Sequence, residues 1–116
     1  MKILSWNIRG LNGRSKQRMS KMKIQKDRHV VLFIQETKCS DDLASKLMSR
    51  IWKDSRMIAI DARGASGGIS ITWNPLLATF SVATSSMHTL SASFHILGTN
   101  IKGYLMNVYG AQAADS

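Results

Sequence analysis

Apolar positions in this chain change period from one segment to the next. Ile3 to Ile8 is a short apolar stretch stopped by Arg9-Gly10-Leu11-Asn12-Gly13, whose glycines and asparagine suit a turn, so it predicts a first strand. Ser15 is placed to cap a helix from about Lys16 to Lys26, with Met19, Met22 and Lys23 as a weak apolar stripe. Val30 to Ile34 is a continuous apolar run rich in β-branched residues, the pattern of a strand buried on both faces. A second helix follows. Ser40 caps it, Asp41 and Asp42 sit where the helix dipole favours negative charge, and Leu43, Leu47 and Ile51 repeat at four-residue spacing, widened by Met48 and Trp52.

After Met57 to Asp61 the chain turns from basic and helical to polar and strand-like, with no proline-rich or low-complexity linker. Ile69 to Trp73 and Thr79 to Ala83 flank the turn dipeptide Asn74-Pro75 and predict successive strands. Leu90, Ala92, Phe94 and Ile96 alternate with Ser91, Ser93 and His95, which predicts a strand with one wet face. Gly98-Thr99-Asn100 would turn it into a partner, Ile101 to Tyr109. Strand, helix, strand, helix and then several strands make an α+β or mixed-sheet layout, with the first two strands parallel. Trp6, Trp52 and Trp73 fall within apolar patterns and are expected in the core.

Charge adds a location to this outline. The net charge is +9, and 15 of the 16 Lys and Arg residues lie within positions 1 to 63, with six of the seven acids. The densest part runs from Arg14, Lys16 and Arg18 to Arg28, opposed nearby by Asp27. It is either a solvated helix face or a surface for a polyanion, since lysines and arginines bind phosphates largely by releasing counterions. One cysteine, Cys39, cannot form an internal disulfide, so a reducing, intracellular setting is expected. No apolar run approaches the roughly 20 residues that span a bilayer, and neither a membrane helix nor a secretory signal is expected.

Candidate chemistry follows from the parallel pair. A right-handed crossover places the carboxyl ends of both strands at one edge, where Asn7 and Glu36 lie. A carboxylate beside an amide oxygen offers hard ligands for a magnesium ion that keeps waters for a phosphate to displace. By themselves these two residues are equally compatible with turn or capping roles. Gly64-Ala65-Ser66-Gly67-Gly68 lacks the Gly-Lys-Ser/Thr ending of a P-loop and reads as a flexible turn.

Four motifs in order carry a resemblance: Ser5 to Asn12, Phe33-Ile34-Gln35-Glu36-Thr37-Lys38, Ser66-Gly67-Gly68 and Asn107-Val108-Tyr109. Together they resemble the endonuclease/exonuclease/phosphatase superfamily, and look closest to the endonuclease domain of plant non-LTR (LINE-type) retrotransposons. The resemblance implies part of a four-layer α/β-β/α sandwich (DNase I-like). It implies phosphodiester hydrolysis in DNA with Mg2+ or Mn2+, at a target site and in the nucleus. By the same resemblance Glu36 binds the metal, Asn7 contacts metal and scissile phosphate, and Tyr109 hydrogen-bonds the phosphate. Lys38 and Arg9 lie near enough to contact the backbone, although an exposed loop role is as simple for both.

This sequence also departs from the family pattern. It carries no Ser-Asp-His motif, the source of the general base, and no Gly-Asp-Phe-Asn type segment. His88 and His95 match neither. Family-like sequence stops at Gly110, so residues 1–110 are expected to form the amino-terminal half of such a domain, and 111–116 an unrelated or divergent tail. Little catalysis is expected from the chain alone; a non-catalytic nucleic-acid-binding role and an inert product of a decayed element are the rival readings. A single sheet layer without its partner should expose its inner face and its edges, predicting aggregation unless the missing half or another polypeptide covers it.

Overall fold

A computed structural model describes residues 2–27, 30–63, 66–86 and 88–108. Strand β1 (Lys2–Asn7) leads through α1 (Arg14–Lys26) to β2 (Val30–Gln35), and α2 (Asp41–Ile51) leads to β3 (Arg56–Arg63). Four strands follow: β4 (Ser66–Trp73), β5 (Ala78–Ser85), β6 (Thr89–Ile96) and β7 (Lys102–Val108). They form a four-stranded sheet in the order β1-β2-β4-β3 and a three-stranded sheet in the order β5-β6-β7. As expected, β1 and β2 are parallel, and the remaining pairs are antiparallel.

Two apolar clusters order the layers. Leu4, Trp6, Leu32 and Ile34 pack with Ile24, Leu47, Met48 and Ile51 of the helices. Alternate residues of the same sheet, Val31, Phe33, Ile69 and Ile71, pack with Phe80, Leu90 and Ala92 of the second sheet. Because side chains alternate along a strand, β2 needs apolar residues at every position, and its continuous run supplies them. The inner face of the first sheet is therefore covered within the chain, correcting the expectation that it would lie bare. What lies bare is the outer face of the second sheet, where Tyr104, Met106 and Val108 of the edge strand β7 are exposed.

Both helices depart from their sequence outline. Helix α1 begins at Arg14 after Gly13, with no side-chain cap, so Ser15 lies inside its first turn and caps nothing. Met19 and Met22 are exposed and the helix buries Ser20 and Ile24 instead. Its other attachments are Lys23 Nζ, 5.0 Å from the centre of the Trp6 ring, and an ion pair between Lys2 and Asp27. Exposed pairs of this kind stabilise by at most about 1 kcal/mol. Helix α2 starts as expected, with Ser40 Oγ accepting from the Leu43 backbone N–H at 3.2 Å. Its buried stripe is Ala44, Leu47, Met48 and Ile51, with Leu43 at the rim rather than in the core.

Among the described residues no helix is long and apolar enough to cross a membrane. Gly67 and Gly68, expected in a flexible turn, belong to β4, and Gly64 and Ala65 lie outside the described residues. The Asn74-Pro75 turn is closed by Leu77 N–H to Asn74 O at 3.0 Å, and it passes the chain from one sheet to the other rather than forming a hairpin.

Candidate active site

The parallel register pairs Asn7 with Gln35, the residue before Glu36, so both candidate ligands reach the carboxyl edge of the first sheet. Beyond the strands the two segments stay tied together. Ile8 N–H donates to Gln35 O at 3.0 Å, Gly10 N–H to Glu36 O at 2.8 Å, and Leu11 N–H to Thr37 O at 2.9 Å. On the other side Thr37 N–H donates to Gly68 O and Lys38 N–H to Gly67 O, at 3.1 and 2.9 Å. Ile8 and Leu11 are fully buried and pin the loop from below.

Held in this way, the edge carries unusual backbone. Arg9, Glu36 and Lys38 have φ of 54°, 56° and 56°, in the left-handed region that non-glycine residues rarely adopt. Asp54 is the other described non-glycine residue there. Such conformations cost on the order of 1–3 kcal/mol each and persist where surrounding structure imposes them. Three of four therefore gather on one edge, and all three are residues singled out from sequence. Gly68 makes the tight passage possible, because a Cβ there would stand 2.0 Å from Thr37 Oγ1 at a φ of +91°.

Leu4 and Trp6 pack on the helix side, so Ser5 and Asn7 share the opposite face of β1. Asn7 Oδ1 is buried and makes no hydrogen bond, an arrangement that costs about 1–3 kcal/mol unless another donor or a cation meets it. Glu36, half-buried, follows directly after Gln35, the register partner of Asn7. Arg9 and Lys38 are exposed, and Arg14 and Arg18 are exposed on α1 with Lys16 half-buried. The edge is thus a carboxylate and an unsatisfied amide oxygen set among cations. Tyr109 lies outside the described residues.

A buried polar network beneath the edge escaped the sequence reading. Gln35 Nε2 donates to Asn107 Oδ1 at 2.6 Å and to Ser5 Oγ at 2.9 Å. Asn107 Nδ2 donates to Ser70 O at 2.9 Å and Ile34 O at 3.3 Å, joining β7 to two strands of the first sheet. The one visible signal was a polar residue at the inward position of β7, following Gly103 and Leu105. Nearby, burial raises the Cys39 thiol above its ordinary value, partly offset by a hydrogen bond with Thr37. A separate acidic pair lies at the start of α2, where the charge of Asp61 and then a hydrogen bond with it raise the Asp41 carboxyl.

Among the described residues no three His, Cys, Asp or Glu side chains gather as a metal centre. His95 Nε2 lies 2.8 Å from Thr99 O, at the end of β6 opposite the Leu90–Asn107 pairing.

Two sheets face to face with helices on one outer side are layers of a DNase I-like fold. No family model and no curated protein matches the sequence. Among solved structures the chain is similar to an AP endonuclease, LMAP, from Leishmania major, with a TM-score of 0.68 and 18% identity over 97% of this chain and 42% of that one. It is also similar to a 3'-5' exonuclease, NExo, from Neisseria meningitidis, with a TM-score of 0.56 and 19% identity over 94% of this chain and 41% of that one. The chain thus spans about two fifths of the length of each, and what it shares with them is the fold.

Proposed function

We propose that this chain is part of a metal-dependent phosphodiesterase of the endonuclease/exonuclease/phosphatase superfamily, of the plant retrotransposon endonuclease type, which binds DNA at the Asn7–Glu36 edge. The observation that carries the reading is the unpartnered Asn7 Oδ1 on the same strained strand edge as Glu36. These oxygens fit a hard cation such as Mg2+ or Mn2+, which takes one or two carboxylates and keeps waters. When bound, such an ion supplies neutralisation of charge on phosphate oxygens. Glu36 contributes the carboxylate, Asn7 orients through its amide oxygen, and the Tyr109 phenol donates a hydrogen bond to the phosphate. Arg9 and Lys38, with Arg14, Lys16 and Arg18 on the helix that follows, hold the backbone by charge. The neighbours named as an AP endonuclease and an exonuclease support a nucleic-acid substrate.

Hydrolysis needs a base for the attacking water, and the sequence has no Ser-Asp-His motif to supply one. The chain alone therefore binds and does not turn over. Removing one member of a cooperating catalytic set typically abolishes most of the rate, so residual activity is not expected.

Supercoiled plasmid incubated with purified, folded chain tests this directly. The expected result is a complex strengthened by Mg2+, weaker for Glu36→Ala, and no nicking. Nicking lost in Glu36→Ala and in chelator would overturn the inactivity. Binding indifferent to both Glu36→Ala and chelator, yet steeply weakened by salt, would replace the metal reading with a purely electrostatic one.

A further inference from the structure

At the end of the fold opposite Asn7 and Glu36, a groove of about 590 Å3 opens between the C-terminal halves of α1 and α2 and the β4–β5 turn. Four cations line it: Lys21, Arg50, Lys53 and Arg56. Asp54 is the only carboxylate among its described lining residues. Its floor is apolar, with Ile24, Ile51 and Trp52 buried, and Leu76 stands 82% exposed on the rim beside Pro75. The C-terminal ends of both helices add about half a negative charge each, which leaves the groove positive. Arg50, Lys53 and Arg56 lie outside the basic segment of the sequence and meet it only through the packing of α2 against α1.

The groove is continuous with α1. Arg14, Arg18, Lys21 and Gln25 are all exposed and follow one another by four, three and four residues, which stacks them on one face of the helix. A helix of 13 residues is about 20 Å long, so this stripe runs much of the way from the Gly10–Gly13 loop to the groove in a body 42 Å long.

We infer that the groove is a further nucleic-acid site, which takes a single-stranded segment running on past Arg14 and Arg18 of the first site, its phosphates following Lys21 and the groove cations and its bases entering between the cationic rim and the apolar floor. Rim cations alone would suit any polyanion; the exposed Leu76 and half-buried Pro75 beside them favour a strand with free base faces, since single-strand sites pair a positive groove with side chains on which bases stack. The inference rests on the nucleic-acid side of the proposed function and is independent of metal binding and hydrolysis.

The test is fluorescence anisotropy with oligo-dT of about 20 nucleotides, longer than the roughly 4–16 that one binding module covers, in chelator and over a range of salt. Lys53→Glu/Arg56→Glu is compared with Lys46→Glu, an exposed α2 charge outside the groove, each checked for an unchanged circular dichroism spectrum. The double variant is expected to bind about tenfold or more weakly, with a salt slope lower by about 1.4, as for two lost phosphate contacts on a single strand. Leu76→Ser is expected to weaken binding without changing that slope. Equal losses per charge at Lys46 and at the groove, or an unchanged double variant, would overturn the site. So would poly-glutamate competing as well as unlabelled oligo-dT, which would assign the groove to an acidic polypeptide.

Discussion

The two sheets are built from one chain and treated very differently. The first is buried on both faces, and its parallel edge collects the left-handed residues Arg9, Glu36 and Lys38 with the unpartnered Asn7 oxygen. The second is buried on one face, and from β5 to the end of β7 its only Lys, Arg, Asp or Glu is Lys102. The difference shows what each sheet is for. Strain at an edge persists only when the surrounding structure imposes it. The second sheet supplies that packing, and through Asn107 it is bolted directly beneath the edge.

Glycine substitutions should separate the two sheets most. Gly68→Ala meets Thr37 Oγ1 and a positive φ together, and is expected to cost about 3 kcal/mol or more in urea unfolding. Gly103→Ala in the second sheet meets the edge of the Phe94 ring at 3.1 Å, which can shift, and should cost about 1 kcal/mol. If the second proves as severe as the first, the two sheets are equally constrained.

Asn107→Ala breaks the bolt. It leaves the Gln35 amide without its buried acceptor and should lower stability by about 1–3 kcal/mol in the same measurement. A change below a few tenths would mean that the sheets are held by apolar contact alone. Glu36→Gly works in the opposite sense. It removes a left-handed non-glycine residue and should raise stability by up to about 1 kcal/mol while abolishing any response to Mg2+. A loss of stability would show that the conformation at Glu36 is not a cost.

The smallest effect is expected on the bare face. Tyr104→Lys with Met106→Lys adds charge to an exposed edge strand and should leave unfolding within about 0.5 kcal/mol. Self-association seen by sedimentation should fall, because lysines on an edge oppose strand pairing. Unchanged sedimentation would remove this face as the source of aggregation.

Sequence periodicity was most legible where burial is one-sided or complete. The β6 alternation and the continuous β2 run each map onto a strand, and the crossover between β1 and β2 correctly set Asn7 and Glu36 on one edge. Helix α1 lies where the sequence places it, but its cap and its buried face do not follow the pattern, because it buries a serine and one isoleucine and leaves its methionines in water. The division into two sheets was hidden, since Asn74-Pro75 turns the chain equally well within a hairpin or between layers. The left-handed backbone at Arg9, Glu36 and Lys38 had no local signature, because those residue types do not favour it. The Gln35–Asn107 contact joins residues 72 apart, and no local pattern encodes a pairing of that range.

The divalent-cation site proposed at Asn7 and Glu36 is tested by Mn2+ through paramagnetic broadening of backbone amide resonances. Substoichiometric Mn2+ should broaden the amides of Ile8, Arg9, Glu36 and Thr37 first, with the effect lost in Glu36→Gln. Broadening centred on Asp41, Asp42 and Asp61, unaffected by Glu36→Gln, would contradict it and place the cation on the exposed carboxylates at the start of α2.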